Sequence, residues 1–258
     1  MRRMEYAIQF TDLTKMFGNV RAVDDLCFGI KEKSFFGFLG PNGAGKTTTI
    51  RMATGLLKPG SGTVEVLGYD VVKNPLEVKA NIGYLPEDLN LYERLTVSEF
   101  LEFVGRIYGL EMAVLKDRID ELLNLLQLKD KENELIVDLS HGMKKKTALL
   151  GALIHDPKIL FLDEPFTGID PISSRVIKDL LEDLSKKGTT IFLSSHILEV
   201  VEKLCNEVAI INKGKIVGHG DLGELRKRAK IGDESTLEEV FLKLVEAQPP
   251  EGVLSWKK

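Results

Sequence analysis

Cysteine is scarce in this chain: two residues in 258, Cys27 and Cys205. They stand far apart and match no metal-ligand spacing. That excludes a disulfide framework and a zinc site, and the expectation is two reduced thiols in or near a core. Long apolar runs are missing too. A stretch such as ALLGALI (148–154) is too short to cross a bilayer. The opening MRRMEYAIQF has no apolar segment of secretory length, so no signal peptide is expected. Nor is there an excess of positive charge. The chain has 35 Lys and Arg against 39 Asp and Glu, a net charge of −4. That excludes the global basic field that nucleic acid binding uses, and no nucleic acid partner is expected. Internal repeats and low-complexity segments are absent. What remains is ordinary globular composition, 43% hydrophobic and 29% charged, at a length that suits one large domain or a domain with a subdomain. Such a protein works at a membrane only if another protein holds it there.

Element signals follow a clear order. Short β-rich runs alternate with turns at 6–10, 22–30, 34–40, 62–68 and 81–86. A capping box then opens a helix, with Thr96 as N-cap, Glu99 three residues on, and Leu95 and Phe100 placed as a hydrophobic staple. Leu115, Ile119, Leu122, Leu123 and Leu126 recur at helical spacing. The last third returns to alternation. KILFLDEP (158–165) is a short apolar run ending in carboxylates. The helix over 170–188 has Asp170 as cap, Pro171 in its first position and Gly188 as stop. TTIFLSS (189–195) reads as a buried strand and 207–220 as a hairpin around Asn212–Gly214. Thr236 and Glu239 form a further capping box for a helix over 237–247, and a loose tail is expected over 246–258. The order predicts a parallel α/β core with a β-rich N-terminal part and a helical insert near 88–140.

The chemistry starts at GPNGAGKTT (40–48), a phosphate-loop pattern between an apolar strand and a helix-compatible segment. Gly40, Gly43 and Gly45, with Pro41, Asn42 and Ala44 between them, form a loop whose backbone N–H groups curve round phosphate oxygens. Lys46 supplies a cation to the terminal phosphates, and Thr48 is a further expected nucleotide-binding residue. The Thr47 hydroxyl suits Mg²⁺, and the helix N-terminus adds its positive end. Asp163 and Glu164 close the run ILFL: Asp163 is the expected Mg²⁺ partner, and Glu164 is placed to orient or deprotonate attacking water. His196 ends the next strand, within reach of a γ-phosphate if both strands share one parallel sheet. His155 and His219 are read as structural. The basic run RKRAK (226–230) is read as a solvated helix face.

In this order and spacing, LSHGM (139–143), ILFLDEP (159–165), TGID (167–170) and SSH (194–196) resemble the ATP-binding subunit of an ABC transporter, over roughly residues 5–245. The resemblance implies an α/β fold: a P-loop NTPase core with a mostly parallel sheet, an N-terminal antiparallel β subdomain and a helical subdomain. It implies one ATPase domain over 1–245, with ATP and Mg²⁺ as cofactors. It also implies a second ATP-binding subunit, packed head to tail and more readily a homodimer than a heterodimer. Ser140 and Gly142 would then contact the γ-phosphate of ATP held by that partner. Asp170 would lie on the loop crossing the interface, His196 would be the switch histidine, and Phe17 would stack on adenine. A non-transport clamp or regulator built on the same cassette is the alternative.

Two positions depart from the family pattern. His141 and Met143 replace the first Gly and the Gln of LSGGQ, and Glu87 replaces the Gln after YLP. A carboxylate at Glu87 still binds Mg²⁺ or accepts a bond from water, but it does not donate as an amide does. Both departures, and the ending TLEEVFLKL (236–244), resemble exporters whose permease is a separate polypeptide. The expected location is the cytoplasmic face of the cell membrane, held through that permease. Its contact is expected beside Glu87, with Tyr92 and Arg94 lining a groove. Lys144, Lys145 and Lys146 raise a separate question, since cations are misplaced in the first turn of a helix. Across a closed dimer they would add positive potential around the partner's ATP, unless some are merely solvated. His141 either points away or contacts phosphate or ribose.

Overall fold

The computed structural model describes residues 6–245. The tail expected over 246–258 and the last residues of the helix expected over 237–247 lie outside them. The chain runs through β1 (Ile8–Phe17), β2 (Val20–Ile30) and β3 (Phe35–Leu39) into α1 (Lys46–Ala53). Then come β4 (Ser61–Val66), β5 (Tyr69–Asp70), α2 (Pro75–Asn81) and β6 (Ile82–Leu85). The middle holds α3 (Val97–Ile107), α4 (Met112–Leu125) and α5 (His141–Leu153). The last third is β7 (Ile159–Asp163), α6 (Pro171–Lys187), β8 (Thr190–Ser195), α7 (Leu198–Leu204), β9 (Glu207–Asn212), β10 (Lys215–Gly220), α8 (Leu222–Ala229) and α9 (Leu237–Leu244).

Two sheets result. One is antiparallel, in the order β2-β1-β4-β5; the other has six strands, in the order β10-β9-β3-β8-β7-β6. In the larger sheet β9, β3, β8, β7 and β6 run parallel, and β10 pairs antiparallel at the edge. Successive side chains of a strand point to opposite faces. A sheet covered on both faces therefore needs apolar residues at nearly every position. β3, β7 and β8 meet that demand, and their alternation sorts side chains into two cores. Phe36, Phe38, Phe161 and Phe192 face the antiparallel sheet, where Phe10 and Phe28 stack at 4.5 Å between ring centroids. Leu39, Leu160, Leu162 and Leu193 face the helices.

The helical layer follows its local signals. Thr96 and Glu99 make the reciprocal bonds of a capping box, and Leu95 packs against the core that contains Phe100. Asp170 Oδ1 accepts from Ser173 N at 2.9 Å, Pro171 opens α6, and Gly188 ends it at φ 108°. α8 carries a third capping box, Asp221 with Glu224, ahead of the basic run 226–230. That run is more than a solvated face, because Arg226 Nε donates to Ser235 O at 2.7 Å and holds the approach to α9. Between 88 and 140 the structure places α3, α4 and two short turns, and α5 runs from there back to β6. Gly83 marks that junction, since a Cβ there would run into the carbonyl oxygen of Ala152. Among the described residues, no helix is long and apolar enough to cross a membrane.

Candidate functional site

Parallel pairing brings the carboxyl ends of four strands to one edge. Leu39 stands opposite Ser195, Asp163 opposite Ser194, and Leu85 opposite Leu162. The loops that follow carry the phosphate loop, Glu164, His196 and Glu87, so residues scattered over more than 150 positions meet at a switch edge of the sheet. They enclose a pocket of about 580 Å³. Gly40, Pro41, Asn42, Gly43, Gly45, Lys46, Thr47 and Thr48 form one wall, and Glu87, Glu164 and His196 another. Ala44 is buried behind the loop. Gly45 has φ 110°, and a Cβ there would collide with the carbonyl of Ala22; Gly43, at φ 76°, faces open space. The loop thus needs glycine at both positions, for packing at one and for backbone conformation at both.

The charges are tightly arranged. Lys46 Nζ donates to Gly40 O at 2.7 Å and lies 3.9 Å from Glu164 Oε1. Glu164 Oε2 is 2.8 Å from His196 Nδ1, a bond in which the ring N–H donates. Burial pushes the Glu164 carboxyl above the usual range, against the opposing pull of His196 and Lys46. Its backbone sits at φ 50°, a left-handed conformation that L-residues seldom adopt. The Glu164 N–H donates to Ser194, whose hydroxyl donates in turn to Asp163 Oδ1. Asp163 is fully buried, and its Oδ2 has no hydrogen-bond partner among the described residues. An orphaned buried carboxylate oxygen beside a phosphate loop fits a divalent cation.

Other expected site residues lie elsewhere. Ser140 caps α5, its Oγ accepting from Met143 N at 3.3 Å. Ser140 and His141 are exposed, and with Gly142 they stand outside the pocket of their own chain. His141 lies over Gly168, in the loop that ends at Asp170. The Asp170 carboxyl is held below its usual range by its bonds to Ser173. Phe17 ends β1 with half its surface exposed; Lys15 Nζ is 5.6 Å from its ring, and it is not among the residues lining the pocket.

The lysines correct the electrostatic expectation. Lys145 and Lys146 are buried and spent within the chain: Lys145 Nζ donates to Glu164 O and Thr167 O, and Lys146 Nζ to Leu126 O at the end of α4. Lys144 pairs with Glu93 at 2.8 Å. Backbone carbonyls, not a distant phosphate, offset the unfavourable helix dipole for the two buried cations.

Sequence reasoning did not find Ala22, Thr167, Ser195, Leu198 and Phe241, which also line the pocket. Ser195 and Leu198 flank His196, so adjacency was a usable signal. Phe241 on α9 had none, because only packing brings α9 to this edge.

Comparison with known proteins agrees with this geometry. The ABC transporter family matches residues 23–167. The chain is 42% identical over 226 residues to the bacitracin transport ATP-binding protein BcrA of Bacillus licheniformis, covering 87% of this chain and 73% of that one. It is 36% identical over 222 residues to the Nod factor export ATP-binding protein I of Cupriavidus metallidurans, covering 86% and 73%. A solved ATP-binding subunit of an ABC transporter superposes with a TM-score of 0.88 at 29% identity, over 92% of this chain and 99% of that one. The chain belongs to the ABC transporter family, as an ATP-binding and ATP-hydrolysing subunit.

Proposed function

We propose that this subunit powers export through a separate membrane permease, at the cytoplasmic face of the membrane, by closing head to tail with a second copy of itself around two ATP molecules. The observation that carries the hydrolytic part is the Glu164–His196 pair, 2.8 Å apart beside the phosphate loop. Glu164 is the general base that orients and deprotonates water, and His196 holds its carboxylate and contacts the γ-phosphate. Lys46 exchanges its bond to Gly40 O for the terminal phosphates. Asp163, Thr47 and Glu87 would hold Mg²⁺, which would neutralise charge on the phosphates. Phe17 is kept as the adenine platform on the exposed end of β1.

Head-to-tail pairing is supported by the exposed capping turn at Ser140–Gly142. It presents backbone N–H groups at a helix N-terminus and has no acidic residue in its own first turn. Closure on ATP is a population shift, because nucleotide binds the closed dimer better than the open one. Export is supported by the Nod factor export relative. The proposed permease contact is a groove of about 700 Å³ lined by Tyr84, Pro86, Leu91, Tyr92, Phe100 and Tyr108, among others. Arg94, expected beside Tyr92, is not among its lining residues. The test is Glu164→Gln: ATP binding persists, turnover falls at least a hundredfold, and a stable ATP dimer elutes on sizing. Normal turnover would remove Glu164 from its role.

A further inference from the structure

Lys145 is 1% exposed, in the second turn of α5. A buried ammonium is costly unless its donors are used. Here they are used on backbone: Nζ donates to the carbonyl of Glu164 at 2.5 Å and to that of Thr167 at 3.0 Å. Those carbonyls bracket the turn that leaves β7. The Glu164 N–H is fixed to Ser194 at the other end of the same residue, and Thr167 N approaches Glu164 O at 3.4 Å. Held on both sides, Glu164 keeps its left-handed backbone at φ 50°, and its side chain is aimed at His196. Thr167 lines the nucleotide pocket. The same helix is capped by Ser140, five residues earlier, or about 7.5 Å along the axis. Gly142 also stands close to the loop after that turn: a Cβ added there would come within van der Waals distance of Gly168 O, at 3.4 Å.

We infer that Lys145 is a positioning residue for ATP hydrolysis, tying the turn that carries Glu164 to the helix whose first turn faces the partner's nucleotide. The inference rests on the reading of Glu164 as the base and of the pairing as head to tail. It gives the two ATP sites of a dimer a rigid connection within each subunit. Seating of Ser140 and Gly142 on the partner's γ-phosphate sets the position of α5, and α5 sets the backbone of this subunit's own base. The geometry asks for a long donor that reaches two carbonyls, which Lys and Arg both provide and Met does not.

Lys146 supplies the control. It is also buried and also bonds a carbonyl, that of Leu126, but this carbonyl ends α4 and has no part in the pocket. The experiment compares Lys145→Met, Lys145→Arg and Lys146→Met in the full chain, with Glu164→Gln alongside. It measures kcat, nucleotide affinity by a fluorescent ATP analogue, and Tm. Lys145→Met is expected to lower kcat at least tenfold with nucleotide affinity changed less than threefold, and Lys145→Arg to recover most of the loss. Lys146→Met is expected to lower Tm and leave kcat within twofold. Three results would overturn the inference: wild-type kcat in Lys145→Met, parallel loss of affinity and kcat, or an equal loss of kcat in Lys146→Met. If Lys145→Met does not fold, Lys145→Gln, which keeps a donor but is too short for both carbonyls, takes its place under the same criteria. Turnover by Glu164→Gln would instead refute the base assignment, whatever Lys145 does.

Discussion

Glu164 shows how burial sets chemistry at a single residue. Its carboxyl is raised by desolvation, so the folded state holds its proton more tightly than the unfolded chain does. Stability from that proton is fully present below the unfolded-state value and is lost as pH rises through the raised folded-state value. Once deprotonated, the buried carboxylate therefore weakens the fold. Without nucleotide, Glu164→Gln should raise Tm at neutral pH by roughly 2–4 °C for each kcal/mol gained, and the gain should vanish below about pH 4. Thermal melts at both pH values check this. Ser194 tests the neighbouring link. Ser194→Ala removes the hydroxyl that donates to Asp163 and accepts from Glu164 N. Leaving a buried carboxylate short of a donor costs about 1–3 kcal/mol, measurable in urea. Asp163 and Glu164 were legible as a carboxylate pair after an apolar run. Ser194 was not, because its role exists only once β7 lies beside β8.

Among the elements, α5 joins what the sequence separates. Its N-cap Ser140 and its lysines serve one end, and the other end packs on β6 at Gly83. A Cβ at position 83 would meet the backbone oxygen of Ala152, which a side-chain rotation cannot move aside. Gly83→Ala should therefore destabilise the protein by about 1–3 kcal/mol, read as a lower denaturation midpoint. The capping boxes were legible because they span four residues. Thr96 with Glu99 and Thr236 with Glu239 form the bonds their spacing implies, and Asp221 with Glu224 carries the same signal. The KKK run misled for the opposite reason. A cation beside a helix N-terminus is costly by local rules, and Lys145 and Lys146 escape that rule through carbonyls 19 and 20 residues away.

For the whole molecule, two cores flank one sheet, and the groove at Tyr84, Tyr92 and Tyr108 opens where the helical layer meets the sheet. Among its lining residues the His155 and Tyr108 rings stack 3.7 Å apart, and His155 Nε2 donates to Ile82 O. The structural reading of His155 fits these contacts. A photo-crosslinker at position 92 should give a permease adduct in the assembled complex; no adduct would move the docking surface elsewhere.

The sequence by itself determined the phosphate loop, the alternation that buries the central strands on both faces, and the caps that start the helices. These depend on neighbours within a few residues, so they are written where they act. Tertiary structure alone decided that Glu164 meets His196 and Lys46, that Asp163 keeps one oxygen without a partner among the described residues, and that Phe241 reaches the pocket. It also decided that Lys145 holds the turn carrying Glu164. Those contacts arise from the order in which parallel strands pair, and a sheet brings together residues that no local pattern relates.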